Sequence, residues 1–140
     1  MRRPGSDPIE FRLLGPVEAV RDGSNLGLGG PRQRALLALL LLEPGWPVSA
    51  DRLADELWQG EPPGNAPATL RSYVSRLRRA LGDENPISGG PTGYSLDVPP
   101  ERIDASRFER LIREGQAALA RGAVGRAAEQ LRAALELWRG

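Results

Sequence analysis

The chain contains no cysteine, no histidine and no lysine among its 140 residues. Without cysteine there are no disulfides and no thiol nucleophile. Without histidine as well, Cys/His zinc sites and the one side chain that ordinarily titrates near neutrality are excluded. No Ser/His/Asp set is possible, and no two carboxylates have the spacing and setting of a general acid/base pair. Composition therefore speaks against an enzyme. The stretch Gly27–Arg34, G-L-G-G-P-R-Q-R, lacks the lysine and hydroxyl of a phosphate-binding loop, and no cofactor, metal or small-molecule ligand is expected. The longest apolar run, Ala35–Leu42, is too short to span a membrane. Met1-Arg2-Arg3 leads into Pro-Gly-Ser-Asp-Pro rather than an apolar core, which is not a secretion signal, so a cytoplasmic protein is expected.

With lysine absent, all 19 basic residues are arginine, a bias that GC-rich coding also produces, and the net charge is only +1. The position of the arginines is then more telling than their number. They concentrate in A-P-A-T-L-R-S-Y-V-S-R-L-R-R-A-L, residues 66–81, between Gly64-Asn65 and Gly82-Asp83. Asn65 suits an N-cap, Pro67 a first turn and Gly82 a left-handed C-cap. At about 100° per residue, Leu70, Tyr73, Val74, Leu77, Ala80 and Leu81 share one side of a helix. Arg71, Ser72, Ser75, Arg76 and Arg79 cover the other, with Arg78 at the border. No acidic residue occurs between Glu61 and Asp83. A solvated helix face usually interleaves both signs of charge, whereas arginine with short hydroxyls fits the DNA major groove.

Residues 1–8 read as a disordered leader. Ile9–Val20 alternates apolar and polar residues around a Gly15-Pro16 bend, predicting two short strands or one broken one, and after a turn at 21–24 a return strand is expected over Asn25–Leu28. A helix begins at Pro31 and ends before Pro44-Gly45, apolar almost all round after Arg34 and so expected at the centre of the core. Trp46-Pro47-Val48 reads as a one-rung strand, and Trp46, Trp58 and Tyr94 as core or boundary aromatics. Ser49 N-caps a second helix that turns Leu53, Ala54, Leu57 and Trp58 inward and carries Asp51, Asp55 and Glu56, a solvated face or an acidic surface for a basic partner. After helix 66–81, strands at 86–88 and 93–98 flank Gly89-Gly90-Pro91-Thr92 as a hairpin with a glycine-rich tip.

The expected fold class is α+β. A winged helix-turn-helix over 9–99, built from an N-terminal antiparallel sheet, three helices and a C-terminal β-hairpin, ends at Pro99-Pro100. Residues 100–140 follow as a tetratricopeptide-like α-helical hairpin, with helices over 104–121 and 124–138. Alanine-rich positions form its contact, and Phe108 and Trp138 anchor its packing. One such hairpin does not bury its own face, so it is expected either to begin a longer helical domain or to pack on the winged domain.

In order, F-R-L-L-G-P-V-E (11–18), G-G-P-R-Q-R-A-L-L-A-L-L-L (29–41), V-S-A-D-R-L-A-D-E-L-W (48–58), S-Y-V-S-R-L-R-R-A-L-G (72–82), G-Y-S-L-D-V (93–98), I-D-A-S-R-F-E-R-L (103–111) and A-L-E-L-W-R-G (134–140) cover nearly the whole chain from residue 9. The chain resembles the N-terminal region of the Streptomyces antibiotic regulatory protein family, whose DNA-binding domain is an OmpR-type winged helix and whose helical activation domain follows. The resemblance implies a transcriptional activator that binds direct repeats in double-stranded promoter DNA near the −35 region. Tandem head-to-tail protomers would each place one recognition helix in the major groove and recruit RNA polymerase through its sigma factor. Arg76 matches the family position that most often reaches a base edge, and Arg78 and the helix start match backbone-contacting positions; Thr69 is a further DNA-binding candidate of the recognition helix.

By residue type, Arg71, Ser75 and Arg76 are assigned to bases and Ser72, Arg78 and Arg79 to phosphates. Arg32 and Arg34 at the start of the first helix are further phosphate candidates. OmpR-type wings often carry an arginine for the minor groove. Here the tip has none, which leaves Ser88, Thr92 and backbone amides. A protein-interaction module, with the winged domain and helical hairpin recruiting a protein partner, is the alternative class.

Overall fold

The computed structural model describes residues 8–82, 85–90 and 92–139, so the expected leader, apart from Pro8, lies outside it. The order is β1 (Glu10–Arg12), β2 (Glu18–Arg21), β3 (Ser24–Asn25), α1 (Pro31–Leu41), β4 (Val48–Ser49), α2 (Ala50–Leu57), α3 (Ala66–Leu81), β5 (Ile87–Gly90) and β6 (Gly93–Leu96). A 3-10 turn (Pro100–Arg102), α4 (Asp104–Ala120) and α5 (Val124–Glu136) complete it. The class is α+β, as the sequence predicts.

β1, β2 and β3 form an antiparallel sheet in that order, with Phe11 opposite Ala19 and both buried. Asp22 (φ 53°) and Gly23 (φ 76°) make the β2–β3 turn. Two central residues with positive φ give a hairpin turn whose twist matches the strands, and Arg21 pairs directly with Ser24. The return strand therefore starts one residue earlier than expected and is only Ser24–Asn25. Leu28 has already turned into the core, 1% exposed.

α1 buries Leu36, Leu37, Leu40 and Leu41. It is not buried all round, because Ala35 and Leu42 are exposed, Leu42 by 67%. Ser49 caps α2 by accepting from the Arg52 amide at 3.1 Å. Trp46 is 72% exposed, a correction to its reading as a core or boundary aromatic. Strand pairing starts only at Val48, so Trp46 stays in the turn closed by its own amide on the Glu43 carbonyl. The second sheet has the order β4-β6-β5, so the wing hairpin carries a third strand from the α1–α2 connection. Gly89 and Gly90 belong to β5 rather than to its tip. A Cβ on Gly93 would lie 2.8 Å from the Val48 carbonyl, and one on Gly89 2.3 Å from the Gly93 carbonyl, so the wing glycines let three backbones approach.

α4 and α5 pack on each other through Gly115, Ala118, Ala127 and Ala134, all buried, with Phe108 and Trp138 rings 6.3 Å apart. Leu119 and Leu135 face outward, 57% and 67% exposed. The pair docks on the first sheet. Asp104, 2% exposed, accepts from the Leu13 amide at 2.6 Å, the Leu14 amide at 3.1 Å and the Ala105 amide at 2.7 Å. Ile103 bridges Phe11 in parallel, Arg139 pairs with Glu18, and the Arg139 amide donates to the Leu14 carbonyl at 2.9 Å.

A buried carboxylate holding three amides leaves two strand-end N–H groups unpaired when it is removed. Asp104→Ala is expected to lower unfolding free energy by about 2–4 kcal/mol in urea titration, while Glu109→Ala on the exposed side of α4 stays within about 0.5 kcal/mol.

Candidate nucleic-acid interface

α3 runs over the predicted sixteen residues. It starts at the Pro62-Pro63-Gly64-Asn65 loop, where the Ala66 amide donates to the Pro63 carbonyl at 3.0 Å. Asn65 occupies the N-cap position, but its side chain makes no capping bond. Its backbone (φ −103°, ψ 28°) is outside the extended region from which a side chain reaches the first-turn amides. The helix ends at Gly82, whose φ of 89° and ψ of −166° suit only glycine.

Ala66, Leu70, Val74, Leu77 and Leu81 are buried against α1, α2 and β5. On the opposite side Arg71, Ser75, Arg76 and Arg79 are exposed, with Thr69 and Ser72 half-buried beside them. Tyr73 is half-buried and stacks on Trp58 with ring centroids 6.2 Å apart. Among the described residues, no arginine of α3 is ion-paired with a carboxylate.

The arginines differ in what already holds them. Arg78 Nε donates to the Ile87 carbonyl at 3.3 Å and Nη2 to the Gly89 carbonyl at 3.0 Å, and its guanidinium carbon lies 6.0 Å from the Tyr94 ring centroid. Sequence position alone, at the border of the two faces, does not show that Arg78 is the strut between α3 and the wing. Arg76 Nη1 donates to Gln33 Oε1 at 3.5 Å. Gln33, which the sequence places at the helix opening without a role, is thereby brought to the interface.

Arg32 lies over the Trp58 ring at 5.8 Å, and Arg34 Nε donates to the Gly29 carbonyl at 3.2 Å, so the α1 N-terminus adjoins the α3 face with its arginines exposed. On the wing, the Ser88 hydroxyl donates to Asp97 Oδ2 at 2.7 Å, and Thr92 is exposed at the tip. Apart from Asp97, the exposed carboxylates described on the first three helices and the wing are those of α2. Asp51, Asp55 and Glu56 are exposed on α2, where Asp51 and Asp55 line a groove of about 310 Å³ with Pro62 and Pro67.

A helix with one face locked in a three-helix core, its other face arginine-rich, and a β-hairpin tied to its end define a winged helix-turn-helix of the DNA-binding class. The model for "Transcriptional regulatory protein, C terminal" matches residues 26–90, and that for "Bacterial transcriptional activator domain" matches residues 103–140. The chain belongs to the Streptomyces antibiotic regulatory protein family of transcriptional regulators. It is 42% identical over 147 residues to the regulatory protein AfsR of Streptomyces coelicolor, covering 99% of this chain and 15% of that protein. It is 37% identical over 145 residues to the regulatory protein DnrI of Streptomyces peucetius, covering 94% and 52%. A solved structure of Mycobacterium tuberculosis EmbR in complex with a low-affinity phosphopeptide superposes with a TM-score of 0.88 at 39% identity, covering 94% of this chain and 36% of that one. The chain thus spans from about a seventh to about half of these relatives' lengths.

The two sorts of arginine separate in a stability experiment. Arg78→Met is expected to cost about 1–2 kcal/mol and to speed amide exchange in β5, because two wing carbonyls lose a charged donor. Arg79→Ala is expected to leave stability within about 0.5 kcal/mol.

Proposed function

We propose that the chain is a sequence-specific DNA-binding transcriptional activator that lays α3 in the major groove of promoter DNA. The observation that carries this reading is the arginine face of α3, without a carboxylate partner among the described residues, opposite its buried face. An arginine fork matches the O6 and N7 acceptors of guanine, and arginine with hydroxyls matches phosphate oxygens. Arg71, Ser75 and Arg76 are the base-reading candidates. Thr69, Ser72 and Arg79 are the candidates for the backbone, as are Arg32 and Arg34 from α1 and Thr92 from the wing. Arg78 reaches the duplex with the donors it does not spend on Ile87 and Gly89, whereas Ser88 donates to a phosphate only by turning its single hydroxyl hydrogen away from Asp97. The site is a pair or more of direct repeats near the −35 element, bound by tandem protomers that recruit RNA polymerase through its sigma factor. The groove lined by Asp51 and Asp55 of α2, together with Pro67 of α3, suits a basic partner of that kind. No helix among the described residues is long and apolar enough to cross a membrane, in keeping with a cytoplasmic regulator.

The exposed Leu119 and Leu135 of the helical hairpin favour a second reading, in which the chain is a protein-recruiting module and the arginine face binds an acidic protein surface. Footprinting on promoter fragments with and without RNA polymerase, paired with titrations at several salt concentrations, separates the two. Arg76→Ala is expected to weaken binding to the protected repeat by about 10- to 100-fold and to relax preference at one base pair. Arg79→Ala should weaken repeat and scrambled duplexes alike and lower the salt slope by about one. Equal binding to both duplexes, with Arg76→Ala silent, would sink the sequence-specific reading.

A further inference from the structure

Gln33 is the third residue of α1, in its first turn, and its side chain folds back and across. Its Nε2 donates to the Leu28 carbonyl at 3.1 Å and its Oε1 accepts from Arg76 Nη1 at 3.5 Å. The amide lies where a side chain on residue 29 would be: Gly29 has a φ of 89°, and a Cβ there would sit 2.3 Å from Gln33 Nε2. Leu28 is 1% exposed, so the carbonyl at one end of this bridge belongs to a residue anchored in the core. At the other end is an exposed arginine that, among the described residues, has no carboxylate partner.

Only a primary amide of this length meets both demands. The Leu28 carbonyl needs a donor and the Arg76 guanidinium an acceptor, and a neutral amide supplies both. A carboxylate would set a negative oxygen against the Leu28 carbonyl and clamp Arg76 by charge. An apolar isostere would fill the space and hold neither group. The guanidinium gives up one N–H to the bridge and keeps a pair for a two-pronged contact with a base.

We infer that Gln33 is a positioning residue for base readout, holding Arg76 in the rotamer it uses on DNA so that less side-chain freedom is lost on binding. The inference rests on α3 being the base-reading helix. Specificity is thus shared between two elements, with α1 contributing through Arg76 rather than by touching a base.

The test uses a duplex selected from a random-sequence library by the unaltered chain, and its scrambled counterpart. Titrations with both duplexes cover the unaltered chain, Gln33→Met, Arg76→Ala and the double variant, with thermal midpoints measured on each. Gln33→Met is expected to weaken the selected duplex by about five- to tenfold, to leave the scrambled duplex and the salt slope unchanged, and to add nothing in the Arg76→Ala background. Gln33→Glu is expected to weaken the selected duplex further than Gln33→Met, because charge now competes with the base for the guanidinium. Loss of equal size with and without Arg76, or equal loss on both duplexes, overturns the inference while leaving α3 as the reading helix. So does Gln33→Glu binding as well as the unaltered chain. Failure of the unaltered chain to select any duplex overturns the DNA reading itself and this inference with it.

Discussion

An arginine-bearing helix is useful to a DNA groove only if it does not roll, and rolling is prevented here by the buried face of α3. Leu70, Val74, Leu77 and Leu81 are each no more than 2% exposed and pack on the leucines of α1 and on Leu53 and Leu57 of α2. Each buried leucine-sized side chain contributes about 1.5–3 kcal/mol of transfer free energy, so rotating the helix by one residue would expose several at once. The arginine face is therefore an outcome of the core. What points outward is what the leucine spacing leaves over. The same constraint places Arg78, at the seam between the two faces, where it meets the wing carbonyls instead of solvent.

That dependence explains what was legible in the sequence. Helix ends and faces follow from local signals, and α3 matches the predicted Ala66–Leu81 because Pro67, Gly82 and the leucine periodicity all act within a few residues. Ser49 works as a cap for the same reason. Asn65 fails as one because its backbone angles are set by the preceding Pro-Pro-Gly loop, which no single-residue preference reports. The length of β3 turned on whether Asp22-Gly23 forms a two-residue or a longer turn, a choice the composition left open. Trp46 was misread because an aromatic beside Val48 looks like strand core, whereas the strand begins two residues later. The contacts made by Gln33, Arg78 and Asp104 were beyond reach. Those that tie Gln33 to Arg76, Arg78 to the wing and Asp104 to the end of β1 join residues 9 to 91 apart, and nothing in the local pattern marks the partner.

A net charge of +1 conceals a strong segregation. Four arginines lie on α3 with no carboxylate from 62 to 82, and three carboxylates lie on α2. Summed over the molecule they nearly cancel, but over a Debye length of about 8 Å at physiological salt they do not. The wing adds no arginine at its tip, and its glycines are occupied with strand packing. Its main tie to the interface is the acceptance of Arg78 by Ile87 and Gly89. In the proposed reading, a wing of this sort braces α3 more than it reads the minor groove, and affinity and readout fall largely on α3 and the residues that steady it.

The helical hairpin is attached by a different physics from the core. Asp104 draws the ends of β1 and α4 together through charge-assisted bonds to the half-buried amides of Leu13 and Leu14, and Arg139, whose Nη2 lies 3.7 Å from Asp104 Oδ2, closes the same corner on Glu18 and the Leu14 carbonyl. Such bonds are directional, so they fix angle as well as distance. Phe11 shows how short the route is: it pairs with Ile103 on one side and sits in the core that seats α1 on the other. α3 in turn lies against α1. A protein bound to the outer leucines of α4 and α5 would thus be held at a set angle to a duplex bound by α3, with one β-bridge and one core layer between them. In an activator this is the arrangement that lets a DNA position dictate where a partner is presented.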